Sequence, residues 1–299
     1  MINGILNVYK EKGYTSHDVV AKLRGIVGQK KIGHTGTLDP DAVGVLPVCL
    51  GKATKVCDLL TDKDKTYEAV LLLGRETDTQ DTTGEILREA PVEVSQEEVE
   101  KAVLGFLGEY NQIPPMYSAL KVNGKKLCDL ARSGIEVERK ARKVTVFQID
   151  ILEMELPRVT MRVHCSKGTY IRTLCHDIGE NLGCGGCMES LKRIQSGSFT
   201  IEDALTLDQI QKKRDHGELE EILYPTDHVF SHLEKGTVKK KYEKILYNGN
   251  RIAPHFFREE SMGKEREIRI YDESGQFIGV YRYDKEQGNY KPVKIFLER

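Results

Sequence analysis

The sequence predicts an α+β protein with a large domain and a smaller one. Three observations lead to this class. Apolar residues recur at helical spacing in segments that carry capping signals, whereas other segments alternate or run apolar as strands do. Near the carboxyl end, a turn signal at residues 272–275 lies between two short apolar runs. At 299 residues, the chain is also longer than one core usually supports.

The amino-terminal third predicts a helix, a loop and a buried strand. Ser16 is a suitable helix cap, residues 19–27 place apolar side chains at helical spacing, and Gly28 ends the pattern. After the loop, residues 44–51 predict a short buried strand, and residues 54–60 predict a helical piece.

The next segment predicts a strand, a helix and an exposed insertion. Residues 67–73 are nearly all apolar, as expected for a strand covered on both faces. Ser95 and Glu98 form a capping box ahead of a helical stripe that we expect to end at Gly108. Residues 118–143 lack a long apolar period and carry many basic side chains, so they predict an exposed insertion.

A strand and a helix meet beyond the insertion. Residues 158–165 alternate polar and apolar side chains, which predicts a half-buried strand. Residues 174–182 place leucine and isoleucine every four positions, so a helix follows, with Tyr170 and Arg172 at its entry. Sheet enzymes commonly place their chemistry at such junctions.

The tail predicts a separate β module. A polar, lysine-rich run at residues 231–241 marks the boundary, so we expect one domain at 1–233 and another at 234–299. Strands are predicted at 268–271, 277–281 and 293–297.

Composition indicates a soluble globular protein, with 39% hydrophobic and 30% charged residues. No segment reaches the roughly 18 consecutive apolar residues of a membrane span, and the amino terminus lacks the features of a signal peptide. We therefore expect a cytoplasmic protein that does not bind membranes. The odd count of seven cysteines favours reduced thiols over disulfides.

Cys184 and Cys187 are separated by two glycines, with Cys175 and His176 nearby. This pattern is either half of a zinc site or a glycine-rich helix terminus. A structural zinc site normally needs two well-spaced ligand pairs, so we expect no metal here.

The net charge of -1 hides segments of opposite sign. Residues 75–109 contain ten acidic and three basic residues, whereas residues 117–145 contain eight basic and three acidic ones. Residues 235–299 contain fifteen basic and ten acidic residues. These basic segments are either a phosphate-binding face or an ordinary solvated surface.

The loop at residues 33–41 carries the leading candidate for chemistry, Asp39. Glycines at 33 and 36 permit positive φ angles or close approaches, and Pro40 restricts the backbone of Asp39. These residue types are also common in surface turns. The phosphate-binding P-loop, dinucleotide and nucleophile-elbow patterns all lack required residues. Residues 33–36 match the short loop pattern of KH domains, but no KH pattern surrounds them.

Ordered motifs lie at residues 33–40, 44–47, 51–55, 65–67, 113–121 and 167–172. Together they resemble the motifs of the TruB family of bacterial tRNA pseudouridine-55 synthases. The resemblance covers residues 3 to about 200 and loosely includes the tail, which resembles the PUA-like module of this family. Glu11 and Cys187 depart from the usual pattern, where relatives often carry proline and histidine. The catalytic motif is resembled by residues 33–40, 44–47 and 51–55, the tyrosine motif by 65–67, the start of the RNA-binding insertion by 113–121, and the arginine motif by 167–172.

The resemblance implies a pseudouridine-synthase fold with a mixed, largely antiparallel sheet flanked by helices and an RNA-binding insertion at about 111–145. It further implies isomerisation of one uridine in the T loop of tRNA, after the base is flipped out, with no metal or organic cofactor. Asp39 would act as nucleophile or proton acceptor, and Arg172 would orient it and keep its pKa low. We expect a monomer that needs no protein partner.

The same resemblance implies roles for further side chains. Tyr67 would stack on the target base, and Leu191 would form the opposite wall, although both also suit a hydrophobic core. His34 would stabilise the opened RNA loop, and Lys10 would support the active-site loop unless it is an ordinary surface lysine. Further contacts with substrate or RNA are expected from Tyr170, Lys121, Lys125 and Lys126.

Two other hypotheses remain at this stage. One is a non-catalytic RNA-binding or tRNA-folding module, which the basic segments permit but the Asp39, Tyr67 and Arg172 set disfavours. The other is an enzyme that works in guide-RNA complexes, whose members generally carry basic or low-complexity extensions that we do not find here.

Overall fold

A computed structural model describes residues 1–259 and 267–297. Within these residues, nine strands form a central sheet in the order β1-β3-β12-β4-β11-β10-β7, with β2 beside β3 and β13 beside β12. The strands are β1 (Gly4–Lys10), β2 (Ile32–His34), β3 (Val43–Leu50), β4 (Lys65–Leu73), β5 (Arg75–Thr77), β6 (Ile86–Glu89), β7 (Gly108–Gln112), β8 (Lys121–Val122), β9 (Lys125–Lys126), β10 (Arg142–Glu155), β11 (Arg158–Cys165), β12 (Gly186–Ser196), β13 (Phe199–Thr200), β14 (Glu234–Thr237), β15 (Glu267–Tyr271), β16 (Phe277–Asp284) and β17 (Asn289–Ile295).

The central sheet is mixed and largely antiparallel, which confirms the α+β class. Its parallel contact joins β12 to β3, where Lys192 lies opposite Val43 and Arg193 opposite Gly44. The α-helices are α1 (Ser16–Val27), α2 (Cys57–Thr61), α3 (Gln96–Leu104), α4 (Leu127–Arg132), α5 (Ile171–Asn181), α6 (Leu207–Asp215) and α7 (Glu243–Tyr247); short 3-10 helices span Gly51–Val56, Leu219–Ile222, Thr226–Phe230, Lys240–Tyr242 and Pro254–Phe256.

The N-cap of helix α1 lies one residue earlier than predicted. Thr15 is the N-cap and forms a capping box with Asp18, while Gly28 ends the helix in the left-handed conformation, as predicted. Ser16 instead lies in the first turn, where its hydroxyl accepts a hydrogen bond of 2.9 Å from the backbone N–H of Leu38. The predicted capping residue therefore helps to hold the loop that contains Asp39.

Helix α3 has the predicted capping box at Ser95 but ends earlier than predicted. The helix stops at Leu104, and tight turns carry the chain through Leu107 to Gly108. Gly108 has φ +90° and opens β7 rather than ending the helix. The apolar pattern in the sequence extends past Leu104 because Phe106, which lies beyond the end of the helix, also packs on the core.

The strand predicted at 67–73 exists as β4, but only its last residues are buried on both faces. Glu68 and Val70 are half-buried, and Glu68 pairs with Arg162 at 2.8 Å on the open face. The other face packs under α3 and α5, where Ala69 and Leu71 meet the same core as Leu174 and Ile178. On β11, the alternate residues Val159, Met161, Val163 and Cys165 are buried, as predicted.

A second core lies under α1 and α6, against β1 and β3. The insertion leaves the central sheet after β7 and carries the hairpin β8–β9 and helix α4. Most of it is exposed, as predicted, although Ser118 and Leu127 are buried at its base.

The tail forms a four-stranded sheet in the order β14-β15-β16-β17, with its own apolar cluster around Ile252, Ile270 and Tyr281. The predicted hairpin is present as β15 and β16, whereas the last strand, β17, starts at Asn289, four residues before the predicted 293. Val280 and Phe296 also belong to an apolar cluster that includes Ile5 and Phe230. No helix in residues 1–259 or 267–297 is long and apolar enough to cross a membrane.

Candidate active site

The loop that contains Asp39 is fixed by hydrogen bonds rather than being a free surface turn. It connects β2 to β3, and the N–H of Thr35 donates to the carbonyl of Pro47 at 3.1 Å. The N–H of Leu38 donates to the hydroxyl of Ser16, and the N–H of Ala42 donates to the carbonyl of Asp39 at 3.1 Å. The chain therefore holds this carboxylate at a defined place.

Glycines let this loop pass close to the neighbouring strand. Gly36 has φ +151° and Gly44 has φ +107°. A Cβ atom on Gly44 would lie 2.2 Å from the carbonyl oxygen of Arg193, a separation that no side chain tolerates. The structure thus requires glycine at 44, where β3 meets β12.

Asp39 and Arg172 form an ion pair, as the resemblance implied. The Nε atom of Arg172 lies 3.1 Å from Oδ2 of Asp39, and the Arg172 side chain is only 7% exposed. Helix α5 supplies this arginine from its first turn, so it is not an exposed helix-entry cation. The planar guanidinium still has donors free for other partners.

Those remaining donors bind two further segments of the chain. The Nη1 atom of Arg172 donates to the carbonyl of Thr79 at 3.0 Å and lies 3.6 Å from the carboxylate of Asp81. Nη2 donates to the carbonyl of Tyr117, at the start of the insertion, at 2.7 Å. Arg172 consequently links the Asp39 loop to the β5–β6 loop and to the insertion.

The expected low pKa of Asp39 is not what the structure gives. Burial raises the pKa of this carboxyl above its ordinary value; Arg172 lowers it, and Asp81 raises it again. Although 42% of the Asp39 side chain is accessible, the surrounding protein displaces much of the water near its carboxylate. Removal of water therefore outweighs the attraction of one arginine, which is shared with a second carboxylate.

Tyr67 lies in β4 at the edge of the core that contains Leu38 and Ala42, the neighbours of Asp39. Its side chain is 9% exposed, and burial raises the pKa of its hydroxyl. Leu191 is half-buried and packs against the same cluster. Tyr67 therefore packs in the core and also lies close to the Asp39 loop.

Tyr170 is the N-cap residue of α5 and is held by a buried side chain. The amide of Gln112 donates to the Tyr170 carbonyl at 2.9 Å and accepts from the Tyr170 N–H at 2.8 Å. This pair joins the end of β7 to the start of α5, two residues before Arg172. It fixes the direction in which that helix presents its arginine.

His34 is half-buried beside the loop, and its Nε2 lies 3.3 Å from Nδ1 of His17. Burial, followed by the nearby His17, lowers the pKa of His34. The N–H of Gly36 donates to its other ring nitrogen at 3.4 Å. A neutral imidazole thus borders the Asp39 loop.

Lys10 is 0% exposed, so it is neither a surface lysine nor placed to touch RNA directly. Its ammonium donates to the carbonyls of Pro40 at 3.0 Å and Glu11 at 3.2 Å, and to Tyr14. Burial lowers its pKa to about 8, against the pull of Asp39. These contacts agree with the expected support of the active-site loop, but not with its grouping among RNA-binding residues.

The three lysines expected to bind RNA lie apart from this pocket. Lys121, Lys125 and Lys126 are exposed on the β8–β9 hairpin of the insertion. Among the described residues, none of them forms a hydrogen bond or ion pair with Asp39 or Arg172. The structure therefore separates the ion-paired site at Asp39 and Arg172 from an exposed basic hairpin.

Sequence reasoning missed Asp81, Gln112 and Arg193. Asp81 was one of many acidic residues in a segment read only for its charge, and Gln112 precedes a motif without belonging to it. Arg193 comes two residues after Leu191, and it is fully buried beside Tyr67. A buried charge in a strand cannot be distinguished from an exposed one by sequence alone.

The cysteines are all free thiols, and Cys184 and Cys187 are both buried. Within residues 1–259 and 267–297, no three side chains of His, Cys, Asp or Glu converge as metal ligands. The glycines at 183 and 185 have positive φ, so this segment is the tight connection between α5 and β12.

Comparison with curated proteins and family models agrees with the motifs. Residues 24–171 match the model for the N-terminal domain of TruB family pseudouridylate synthases, and residues 172–231 match that for the C-terminal domain of tRNA pseudouridylate synthase B. The tRNA pseudouridine synthase B of Lachnoclostridium phytofermentans is 55% identical over 99% of this chain and 100% of that protein. That of Alkaliphilus oremlandii is 49% identical over 98% and 97%.

Two solved structures share the fold over 99% of this chain. One is an H/ACA ribonucleoprotein bound to a substrate RNA containing 2'-deoxyuridine, whose matching chain is 26% identical and 86% covered, with a TM-score of 0.73. The other is a Cbf5-Nop10-Gar1 complex, with 28% identity, 85% coverage and a TM-score of 0.74. Together with the family models and the near full-length relatives, these matches show that the chain belongs to the TruB family of pseudouridylate synthases, which are isomerases.

Proposed function

We propose that this protein converts uridine 55 in the T loop of tRNA to pseudouridine, with Asp39 as the nucleophile. The tRNA substrate is supported by the names of the relatives at 55% and 49% identity. The observation that carries the proposal is the 3.1 Å ion pair between Asp39 and Arg172, beside Tyr67, in a chain of this family. We further propose that the enzyme works in the cytoplasm as a monomer without a protein partner.

The reaction rearranges one nucleotide and conserves its atoms. The bond between N1 of uracil and C1′ of ribose breaks, the base turns, and C5 bonds to C1′. The C5 proton is then lost, and N1 gains a proton, so the change needs no oxidant, reductant or cofactor. Asp39 in its charged form serves this sequence by attack at C6 or C1′, or by removal of a ribose proton.

Arg172 and Asp81 control the state of that carboxylate. Arg172 favours the charged form of Asp39 and fixes one of its oxygens, leaving the other for the substrate. Burial raises the pKa of Asp39, so the reactive charged form is lost as the pH falls through that raised pKa. The rate should therefore fall on the acid side at a pH above the ordinary aspartate value of 3.8.

The target base reaches Asp39 by leaving its stack. A uridine inside a folded RNA loop is inaccessible to a carboxylate in a recess, so it must be flipped out. Tyr67 and Leu191 are the apolar surfaces for the extruded base, and Tyr170 borders the same entry. His34 occupies the loop edge, where a neutral ring packs against opened RNA.

The remaining surface binds the tRNA by charge. Lys121, Lys125 and Lys126 contact phosphates from the exposed hairpin. Residues 1–233 form the catalytic domain with this insertion at about 111–145, and the tail at 234–299 is a PUA-like RNA-binding module. The separate sheet and core of the tail support that division.

The direct test uses the purified protein alone, without cofactor, guide RNA or other proteins, on an unmodified tRNA transcript. Mapping should place pseudouridine at position 55 and nowhere else in the T loop. A matched transcript with cytidine at position 55 should give no product. Absence of product on the first transcript, or product at another position, would overturn the proposal.

A further inference from the structure

A buried arginine lies under the active site and belongs to none of the motifs discussed above. Arg193 lies on β12 between two strands, opposite Gly44 of β3 and opposite Tyr67 of β4. Its side chain is 1% exposed and is among the largest fully buried side chains of the protein. Burial of a guanidinium is costly unless its donors are used, so its contacts indicate its purpose.

Arg193 lies between the loop that contains Asp39 and the strand that contains Tyr67. Its Nε donates to the carbonyl of Val45 at 2.6 Å, and Arg193 lies opposite Tyr67 where β12 pairs with β4. The nearby guanidinium opposes the rise in the Tyr67 pKa that burial causes. Its Nη1 would be 3.7 Å from a Cβ on Gly36, in the loop that contains Asp39. Its Nη2 is buried and has no hydrogen-bond partner.

Charge pairing does not account for this arginine. Arg193 makes no ion pair with any carboxylate of the described residues. Its neighbours include two further buried cations, Lys10 and Lys65, whose pKa values are lowered to about 8 mainly by burial and further by the charge of Arg193. A third buried cation here adds repulsion, which a purely structural residue of similar size would avoid.

We propose that Arg193 is a positioning residue for Tyr67 that fixes how the tyrosine hydroxyl is used in the reaction. A guanidinium only donates hydrogen bonds, so the Tyr67 oxygen acts as the acceptor when its hydroxyl meets Arg193. The O–H proton of Tyr67 is then directed away from Arg193, towards Asp39 and the bound base. This inference rests on the proposed catalytic placement of Tyr67.

The same contact stabilises any negative charge that develops on the Tyr67 oxygen. The positive charge of Arg193 opposes the rise in the Tyr67 pKa that burial causes. An apolar residue at 193 would fill the space and still pack against Gly44. It would leave the hydroxyl free to rotate in a buried site, with no fixed donor beneath it.

The test compares Arg193→Met and Arg193→Lys with wild type in single-turnover reactions at saturating enzyme, alongside tRNA affinity and thermal unfolding. We expect Arg193→Met to lower the rate about 10- to 100-fold while tRNA affinity stays within about twofold. Arg193→Lys keeps a charged donor and should recover at least about one third of the rate. Equal losses in both variants, or a loss explained by weaker tRNA binding, would contradict the proposal.

A double-mutant cycle separates this inference from the proposed function. If Arg193 acts through the Tyr67 hydroxyl, Arg193→Met should cost less than about twofold once Tyr67→Phe is already present. Undiminished loss in that background would overturn the role of Arg193 alone. A Tyr67→Phe enzyme as fast as wild type would instead refute the catalytic placement of Tyr67. The matched control is Arg158→Met, at an exposed arginine on β11 that pairs with Glu189, and it should keep full activity.

Discussion

The pocket around Asp39 and the hairpin of the insertion use charge in opposite ways. In the pocket, Arg172 is nearly buried and contacts Asp39, Asp81 and two carbonyls. On the hairpin, Lys121, Lys125 and Lys126 are exposed to solvent. The charged groups of the pocket are therefore oriented before the substrate binds. The hairpin lysines instead attract the RNA phosphates, and water and salt weaken that attraction. This contrast predicts that pocket variants change the rate and hairpin variants change the affinity.

Among the pocket and hairpin variants, Arg172→Met is expected to lower the rate most. Without the guanidinium, Asp39 and Asp81 face each other unscreened, and the rate should fall about 100-fold or more. Arg172 lowers the pKa of Asp39, so its loss raises that pKa further and moves the acid limb of the rate to higher pH. Single-turnover rates measured across pH check both statements. An unshifted acid limb would contradict the assigned pairing.

A smaller effect is expected when the support of Arg172 is removed indirectly. Gln112→Leu deletes both hydrogen bonds to the backbone of Tyr170. The Tyr170 N–H then loses its partner, whereas the carbonyl keeps its bond from the N–H of Leu174 at 3.0 Å. The free energy of unfolding should fall by about 1–3 kcal/mol, and the rate should fall about tenfold. Urea unfolding followed by circular dichroism, together with the single-turnover rate, measures the two. A stability loss with an unchanged rate would show that Gln112 does not position Arg172.

The hairpin should respond to salt rather than to chemistry. Replacing Lys121, Lys125 and Lys126 with glutamine should weaken tRNA binding and reduce the slope of log affinity against log salt by about 2–3. The rate at saturating enzyme should stay within about twofold, because none of these lysines contacts Asp39 or Arg172 among the described residues. Filter binding at several salt concentrations provides the slope. An unchanged slope would place the tRNA elsewhere.

The smallest effect is expected within the insertion itself. Asp129 and Arg132 form an exposed ion pair at 3.9 Å on α4. Such pairs contribute little because both side chains remain hydrated and mobile. Asp129→Asn should therefore leave the thermal unfolding midpoint unchanged, and a clear drop would show that the insertion is more tightly organised than its exposure indicates.

The sequence predicted features whose causes are local. The capping box at Ser95 and the left-handed Gly28 follow from neighbouring residues, and both are present. The choice of Thr15 over Ser16 as the cap of α1 depends on Leu38, whose N–H occupies the Ser16 hydroxyl. A contact across 22 residues is invisible to a local pattern.

The Asp39–Arg172 pair was predicted from family resemblance, and the structure brings the two together. Its electrostatics were predicted wrongly, because the raised pKa of Asp39 depends on burial and on Asp81. The burial of the cations Lys10 and Arg193 was also not predicted. Their environments are built by strands that are distant in the sequence, so no spacing rule reveals them.

The most direct test of the account compares Asp39→Asn with Asp41→Asn on the same tRNA transcript. Asp41 is the neighbouring exposed acid, 3.8 Å from Lys12, and makes a matched control. We expect Asp39→Asn to form no pseudouridine at position 55 while tRNA affinity stays within a few fold, and Asp41→Asn to act as wild type. Pseudouridine formed by Asp39→Asn at the wild-type rate would contradict the assignment of Asp39 as nucleophile.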